Sequence, residues 1–404
     1  MNIIPQGYKD SPVGIIPQEW EVKTFGELGS TLSTNTLSRD KLNDMSGYAL
    51  NIHYGDVLVK YGEVLNCSEA NIPWINIEYS ADNLGVELES GDLIISDTAE
   101  DYSVGKATEL QGIHNTKVFS GLHTIAYRAN KNIFAPRFLG YYFNSSIYRK
   151  QLYPLIQGIK VCSISKSAIS NTKLALPPLA EQKKIAEVLS AWDDAIEKQS
   201  KLIEKLELRK RGLMQRLLTG KTRLPGFTES WKQVNLGEIC NITTGKLDAN
   251  AMNENGIYPF FTCAKEVYKI NTYAFDTEAL LVSGNGEYVG YVHYYNGKFN
   301  AYQRTYVLDC FLDNIFYLFY SLKYNLPRRV TQTKSSSNTP YIVMKTLSEL
   351  EMFLPSLSEQ TAIAEVLTSA DKELENHRKK LEALRLQKRG LMQQLLTGKT
   401  RVKI

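Results

Sequence analysis

A long internal repeat constrains this chain more than any other feature. The stretch LPPLAEQKKIAEVLSAWDDAIEKQSKLIEKLELRKRGLMQRLLTGKTR at 176–223 returns as LPSLSEQTAIAEVLTSADKELENHRKKLEALRLQKRGLMQQLLTGKTR at 354–401, with about 29 of 48 positions identical and no gap. The period of 178 residues far exceeds any solenoid unit, so the repeat marks a duplicated domain pair. A second match precedes each copy: Trp20-Glu21-Val22-Lys23-Thr24-Phe25-Gly26-Glu27-Leu28 resembles Trp231-Lys232-Gln233-Val234-Asn235-Leu236-Gly237-Glu238-Ile239. The chain therefore alternates a variable domain with a repeated segment. The offsets of 211 and 178 make the first variable domain about 33 residues longer than the second.

The repeated segments carry the four-three beat of a coiled-coil seam. In the first it runs through Ile185, Leu189, Trp192, Ile196, Gln199, Ile203, Leu206, Lys210, Leu213 and Leu217. The second runs through Ile363, Leu367, Ala370, Leu374, His377, Leu381, Leu384, Lys388, Leu391 and Leu395. Two polar residues interrupt each seam at equivalent places, Gln199 with Lys210 and His377 with Lys388, and polar seam residues fix register. Pro177-Pro178 and Pro355 precede the helices, and Gly220 and Gly398 follow them, the usual punctuation of a helix start and stop. A helix of roughly 40 residues is about 60 Å long. The expected domains are 1–178 (with an N-terminal arm 1–19), a long helix 179–220, a second variable domain 221–356, and a long helix with tail 357–404. The expected fold class is α+β: two globular, β-rich α/β domains separated by two long antiparallel coiled-coil helices, a pseudo-twofold dumbbell.

Composition excludes several classes. Hydrophobic residues at 43% and charged residues at 22% describe a folded globular protein, and no stretch approaches the roughly 18 apolar residues that span a bilayer. The five cysteines are odd in number and contain no Cys-x-x-Cys pair, which argues against a disulfide framework and against zinc. A cytoplasmic location is expected. The formal charge of +4 is mild, but basic residues crowd the helix ends: Lys205, Arg209, Lys210, Arg211, Arg216, Lys221 and Arg223 on the first, Arg378, Lys379, Lys380, Arg385, Lys388, Arg389, Lys399, Arg401 and Lys403 on the second. Such a face suits phosphates, or equally a solvated helix surface or an acidic partner.

Motifs for chemistry fail on inspection. Gly220-Lys221-Thr222 and Gly398-Lys399-Thr400 lack the earlier glycine of a P-loop and follow a helix rather than a strand, so helix capping explains them. Gly284-Asn285-Gly286-Glu287-Tyr288-Val289-Gly290 reads as a hairpin or binding loop rather than a dinucleotide fingerprint. The five histidines have no ligand spacing, and no catalytic centre or metal site is expected. Short apolar runs at 92–97 and 278–284 read as strands that deliver polar loops. The candidate base-reading residues are Ser96, Thr98, Tyr102 and Lys106, then Lys160 and Ser163 from the Gln157-Gly158-Ile159-Lys160 run, in the first domain. In the second they are Asn285, Tyr288, Gln303, Arg304 and Thr305, with Lys334, Ser336 and Asn338. These types form hydroxyl, amide or guanidinium contacts to base edges.

The LPPLAEQ and LPSLSEQ entries, the helices that follow, the RGLMQRLLTGKTR and RGLMQQLLTGKTR endings and the Trp-led starts of each variable domain together resemble the specificity (S) subunit of Type I restriction-modification systems. The resemblance implies a noncatalytic subunit with two target recognition domains, each reading half of a bipartite double-stranded DNA target, while the helices set the spacer. It implies two modification (methyltransferase) subunits that bring S-adenosylmethionine and two restriction (translocase/nuclease) subunits that use ATP and Mg. The apolar seam, Ile185 to Leu217 and Ile363 to Leu395, is expected to serve both the coiled coil and the docking of those partners. The competing reading is a coiled-coil protein-interaction scaffold that reads no DNA.

Overall fold

The structure, a computed structural model, describes residues 4–80, 83–130, 132–332 and 340–403. It divides into two compact units. Unit 1 comprises residues up to Lys198 together with the segment from Leu381 onward, and unit 2 spans Gln199–Lys380. The two long helices, Leu179–Leu217 and Leu357–Leu395, each contribute one part to each unit. The seam pattern puts one face of each helix inside. Ile185, Leu189, Ile203, Leu206 and Leu217 are buried, and Trp192, Ile196 and Leu213 are half-buried. On the second helix Ile363, Leu367, Ala370, Leu374 and Leu395 are buried, and Leu381, Leu384 and Leu391 half-buried. Gly220 and Gly398 take φ of +67° and +69°, the left-handed conformation that ends a helix.

Within each unit the two helix segments run antiparallel, because partner numbers fall on one helix as they rise on the other. In unit 2, Gln199 faces His377, Lys210 faces Asp371 and Arg223 faces Glu359. In unit 1, Glu181 faces Arg401 and Asp193 faces Lys388. The polar interruptions are thus paired. Gln199 Nε2 lies 2.8 Å from His377 Nδ1 and donates to the His377 carbonyl at 2.9 Å.

Each variable domain is bracketed by a short strand pair. Glu21–Thr24 pairs antiparallel with Lys173–Leu176, and Lys232–Asn235 with Glu351–Leu354, so both domains begin and end beside a helix entry. Inside the brackets lies one sheet topology, built twice. In unit 1 the strands are β1 (Gly29–Leu32), β2 (Val64–Asn66), β3 (Leu93–Ser96), β4 (Ala107–Gln111) and β5 (Thr124–Ala129), in the order β1-β5-β3-β4-β2. In unit 2 they are β6 (Asn241–Thr244), β7 (Tyr258–Phe261), β8 (Tyr268–Ile270), β9 (Phe275–Ser283), β10 (Val292–Ala301) and β11 (Thr305–Asp309), ordered β6-β11-β9-β10-β7-β8. In both sheets the central strand is antiparallel to its two neighbours, and a parallel pair follows on one side, β4 with β2 and β10 with β7. The strand β3 and the second half of β9, residues 279–283, are buried on both faces, which explains their unbroken apolar runs. The extra length of the first domain includes a small second sheet of Leu42–Asn43, Leu50–Ile52, Trp74–Ile75 and Val118–Ser120.

The helix ends are part of the domain cores. Ile185, Ala186, Leu189, Met392, Leu395 and Leu396 share one core with Trp20, Phe25 and Tyr141. Leu217, Leu218, Ile363, Ala364 and Leu367 share another with Leu236, Leu280 and Tyr317.

A three-residue clasp closes each unit. Trp20 Nε1 donates to Glu181 Oε2 at 3.0 Å, and Arg401 grips the same carboxylate through Nε at 2.6 Å and Nη2 at 3.0 Å. In unit 2, Trp231 Nε1 donates to Glu359 Oε2 at 3.2 Å and Arg223 grips Glu359 at 2.5 and 2.6 Å. Both carboxylates are buried, so each needs its full set of donors. The glutamine of the LPPLAEQ motif ties helix to domain as well: Gln182 bonds Ala135 N, Ile133 O and Pro177 O, and Gln360 bonds Asn314 N, Asp313 and Pro355 O.

Glu181→Gln should destabilise unit 1 by about 3 kcal/mol, at the lower end for a broken buried pair because Arg401 can still reach water. Chemical denaturation followed by tryptophan fluorescence measures this, and a change within about 0.5 kcal/mol of the parent would contradict the clasp. A second expectation concerns Glu109 on β4, a core carboxyl that accepts from Arg137 N and Gly140 N at 2.5 and 2.9 Å. Burial pushes its pKa up to about 7 despite those donors. An acid raised in the folded state binds its proton more tightly there, so stability falls as pH rises from the unfolded value near 4.5 to about 7. Relative to Glu109→Gln, the parent should lose up to about 3 kcal/mol across that window. A stability difference that does not change with pH would overturn this.

Candidate nucleic-acid interface

The two domains present the same constellation of loops at the end of the central strand. In the first, β3 ends at Ser96 and the chain passes over Asp97 to Tyr102 before Gly105 N returns a hydrogen bond to Ser96 O at 2.8 Å. In the second, β9 ends at Ser283 and Gly290 N closes on Ser283 O at the same distance. A later segment pairs with each loop: Thr98 with Ser163 and Ala99 with Cys162 in the first, Asn285 with Tyr341 in the second. A turn between strands supplies the third side. Asp97 N donates to His123 O at 3.1 Å, and Gly284 N donates to Arg304 O at 2.9 Å.

Folding therefore brings together most of the candidates. Thr98 and Ser163 are directly paired, Lys160 is exposed close by in sequence, and the Tyr102 ring is 66% exposed. Asn285 is half-buried beside Tyr341, while Gln303 and Arg304 are exposed on the adjoining turn. Gln303 Nε2 reaches Asp248 at 3.3 Å, and Lys265 Nζ sits 4.6 Å from the centre of the half-buried Tyr288 ring. Lys106 is half-buried and donates to Leu58 O at 2.8 Å, and burial lowers its pKa. Lys334, Ser336 and Asn338 lie outside the described residues.

Two expectations fail. Ser96 and Thr305 are the last and first residues of core strands that are covered on both faces, leaving both fully buried. Ser96 Oγ donates to Thr98 O at 2.9 Å, and the Thr305 hydroxyl has no partner among the described residues. Neither can reach a base. The docking role given to the seam is corrected likewise: Ile185, Leu189, Ile203, Leu206, Leu217, Ile363, Leu367, Leu374 and Leu395 are interior, so they offer no surface to a partner. Exposed apolar positions on the helices, Leu202, Leu208 and Leu386, remain available.

Eight of the sixteen basic residues at the helix ends are ion-paired among the described residues, Arg223 with Glu359 and Arg401 with Glu181 and Glu19 among them. Arg209 pairs with Glu373, Lys210 with Asp371, Arg378 with Glu207, Lys379 with Glu375, Arg385 with Glu382, and Lys388 with Glu63 and Asp193. Those ion pairs favour a structural role for these cations over a phosphate-binding stripe.

Sequence reasoning missed several groups that share the loop cluster. His123 Nδ1 lies 3.3 Å from Thr98 Oγ1 and 3.5 Å from Asp97, and its ring meets the edge of Tyr54, itself packed on His53. Burial holds His53 below the usual histidine range. Arg149 donates to Val104 O at 2.8 Å and Tyr102 O at 2.6 Å, which fixes the 101–105 turn. No spacing could reveal these, because positions 54, 97, 123 and 149 meet only through strand pairing. Among the described residues there is no cluster of His, Cys, Asp and Glu suited to a metal, and no helix long and apolar enough to cross a membrane.

The surface offers hydroxyls, an amide, a guanidinium, ammonium groups and exposed tyrosine on short rigid loops. That is chemistry for reading polar edges.

The chain is similar to the Type I restriction enzyme EcoDI specificity subunit of Escherichia coli, at 45% identity over 38% of this chain, a match spanning about a third (34%) of that subunit's length. It is 26% identical to the putative type I restriction enzyme MjaX specificity subunit of Methanocaldococcus jannaschii over 98% of this chain and 97% of that one. Its fold is that of the S subunit of a type I system from M. genitalium, with a TM-score of 0.59 and 16% identity over 96% of this chain and 97% of that one. A chain from a study of complex assembly in a type I R-M system matches with a TM-score of 0.60 and 20% identity, over 95% of this chain and 99% of that chain. The profile of the Type I restriction modification DNA specificity domain matches twice, at residues 17–208 and 228–385, so the duplicated halves of the chain are two copies of that domain, and the chain belongs to this family.

Proposed function

We propose that the chain is the noncatalytic DNA-specificity subunit of a cytoplasmic Type I restriction-modification complex, with each domain reading one half of a bipartite double-stranded target. The observation that carries this reading is the strand-end constellation built twice on one topology with different side chains: Asp97, Thr98, His123 and Ser163 in one domain, Gly284, Asn285, Arg304 and Tyr341 in the other. A conserved backbone scaffold with interchanged polar tips suits two readers of different sequences. Phosphate contacts would come from loop cations such as Lys160, Lys265 and Arg304 rather than from the paired helix cations.

Membership of the family supports the following partners. Two modification subunits carry S-adenosylmethionine and methylate adenines, and two restriction subunits use ATP and Mg. The long helices fix the separation of the two readers and, through exposed positions such as Leu202, Leu208 and Leu386, meet the modification subunits.

Mapping methylated adenines in cells carrying the complex, with and without this subunit, should give one bipartite motif that disappears without it. Inserting one heptad into both helices keeps the seam in phase and lengthens each by about 10 Å, roughly three base pairs. The spacer of the motif should grow by about that amount while both halves stay the same. No DNA affinity above that of a salt-insensitive scaffold, or an unchanged spacer, would overturn the reading.

A further inference from the structure

The first domain carries a feature that the polar constellation leaves unused, the apolar tip of the loop at 157–163. Gln157 and Ser163 exchange backbone hydrogen bonds at 2.9 and 2.8 Å, which closes the loop at its base. Gly158 takes φ of +97°, and a Cβ there would lie 2.0 Å from the Val161 carbonyl oxygen, so the turn is tight and specific to glycine. Cys162 is buried and pairs through Ala99 to the 97–105 loop, and Ser163 pairs with Thr98. The tip is therefore rigidly mounted on the reading loop. At that tip Ile159 is 96% exposed, with Lys160 beside it and Val161 58% exposed.

An isolated exposed aliphatic residue is ordinary. Here it tops a loop held at its base, next to a cation, and that loop pairs with the one that carries the exposed Tyr102, whose carbonyl Arg149 links to the ring of the exposed Tyr153. Fixing such a tip in advance removes the ordering cost of contact. Duplex DNA offers apolar surface to a protein in two places, the thymine methyl in the major groove and the faces of partly unstacked base steps.

We propose that Ile159 is a specificity-determining residue of the first domain, making an apolar contact with the bases of one half of the target while Lys160 meets the adjacent phosphate. The inference rests on the DNA-reading function proposed above. It adds an apolar determinant to a site that is otherwise polar.

The test uses the full chain assembled with its modification subunits and a duplex bearing the motif mapped from adenine methylation, together with duplexes changed at each single position of either half. Ile159→Ser should weaken binding to the motif about tenfold and flatten discrimination at one or two neighbouring positions of one half, with the salt dependence unchanged. Ile159→Leu should retain most of that discrimination. Lys160→Ala should weaken all duplexes alike and reduce the salt slope by about one. Replacing thymine by uracil in that half separates the sources: loss of affinity for the parent but not for Ile159→Ser identifies the methyl, and equal affinity identifies a base step. Discrimination by Ile159→Ser equal to the parent at every position would overturn the inference and leave the DNA-reading function standing. A parent complex with no preference for the motif would overturn both.

Discussion

The rest of the structure depends on a buried carboxylate held by a tryptophan and an arginine from distant parts of the chain. Glu181 receives Trp20 and Arg401, and Glu359 receives Trp231 and Arg223. A carboxylate taken out of water needs its donors, so each clasp pins the start of a variable domain, the entry of one long helix and the segment after the exit of the other. The first unit joins residues near both chain ends in this way, and the second joins residues from the middle. Both reach the same local solution.

A second pair of nodes reinforces the clasps farther along the helices. Tyr141 donates to Asp193, which pairs with Lys388, and Tyr320 donates to Asp371, which pairs with Lys210. The nodes differ in their surroundings. Lys388 gains Glu63 as a second anion, whereas Lys210 has Lys323 nearby, whose pKa is lowered by burial first and by the Lys210 charge second. The frame is thus duplicated in geometry while the domains that insert into it diverge in charge, length and loop chemistry.

The frame was legible in the sequence because its determinants are periodic and local. A four-three apolar beat, prolines before it and glycines after it define a helix whatever the rest of the chain does. What Gln199, Lys210, His377 and Lys388 bond to was not legible, since each partner lies on the other helix or in a domain. The seam also does more than join helices: Ile185 and Leu395, or Leu217 and Ile363, complete the domain cores. In the candidate site, the loops could be placed after the strands that deliver them, but their contents could not be sorted. Ser96 lies inside the run 92–97 that reads as a strand and Thr305 reads as a loop residue, yet both sit in core strands covered on both faces and neither reaches the surface. His123 and Arg149 carry no signal, because only the register of β3, β4 and β5 and the packing of the following helices bring them to the rim.

The central claim is that each domain reads its own half of the target within a shared frame. The most direct test replaces the second domain, between the strands Lys232–Asn235 and Glu351–Leu354, by the first, between Glu21–Thr24 and Lys173–Leu176, and maps the adenines methylated by the resulting complex. Independent readers predict a motif in which the first half is unchanged and appears again, inverted, in place of the second. A complex that methylates DNA at a motif with both halves altered would contradict the claim.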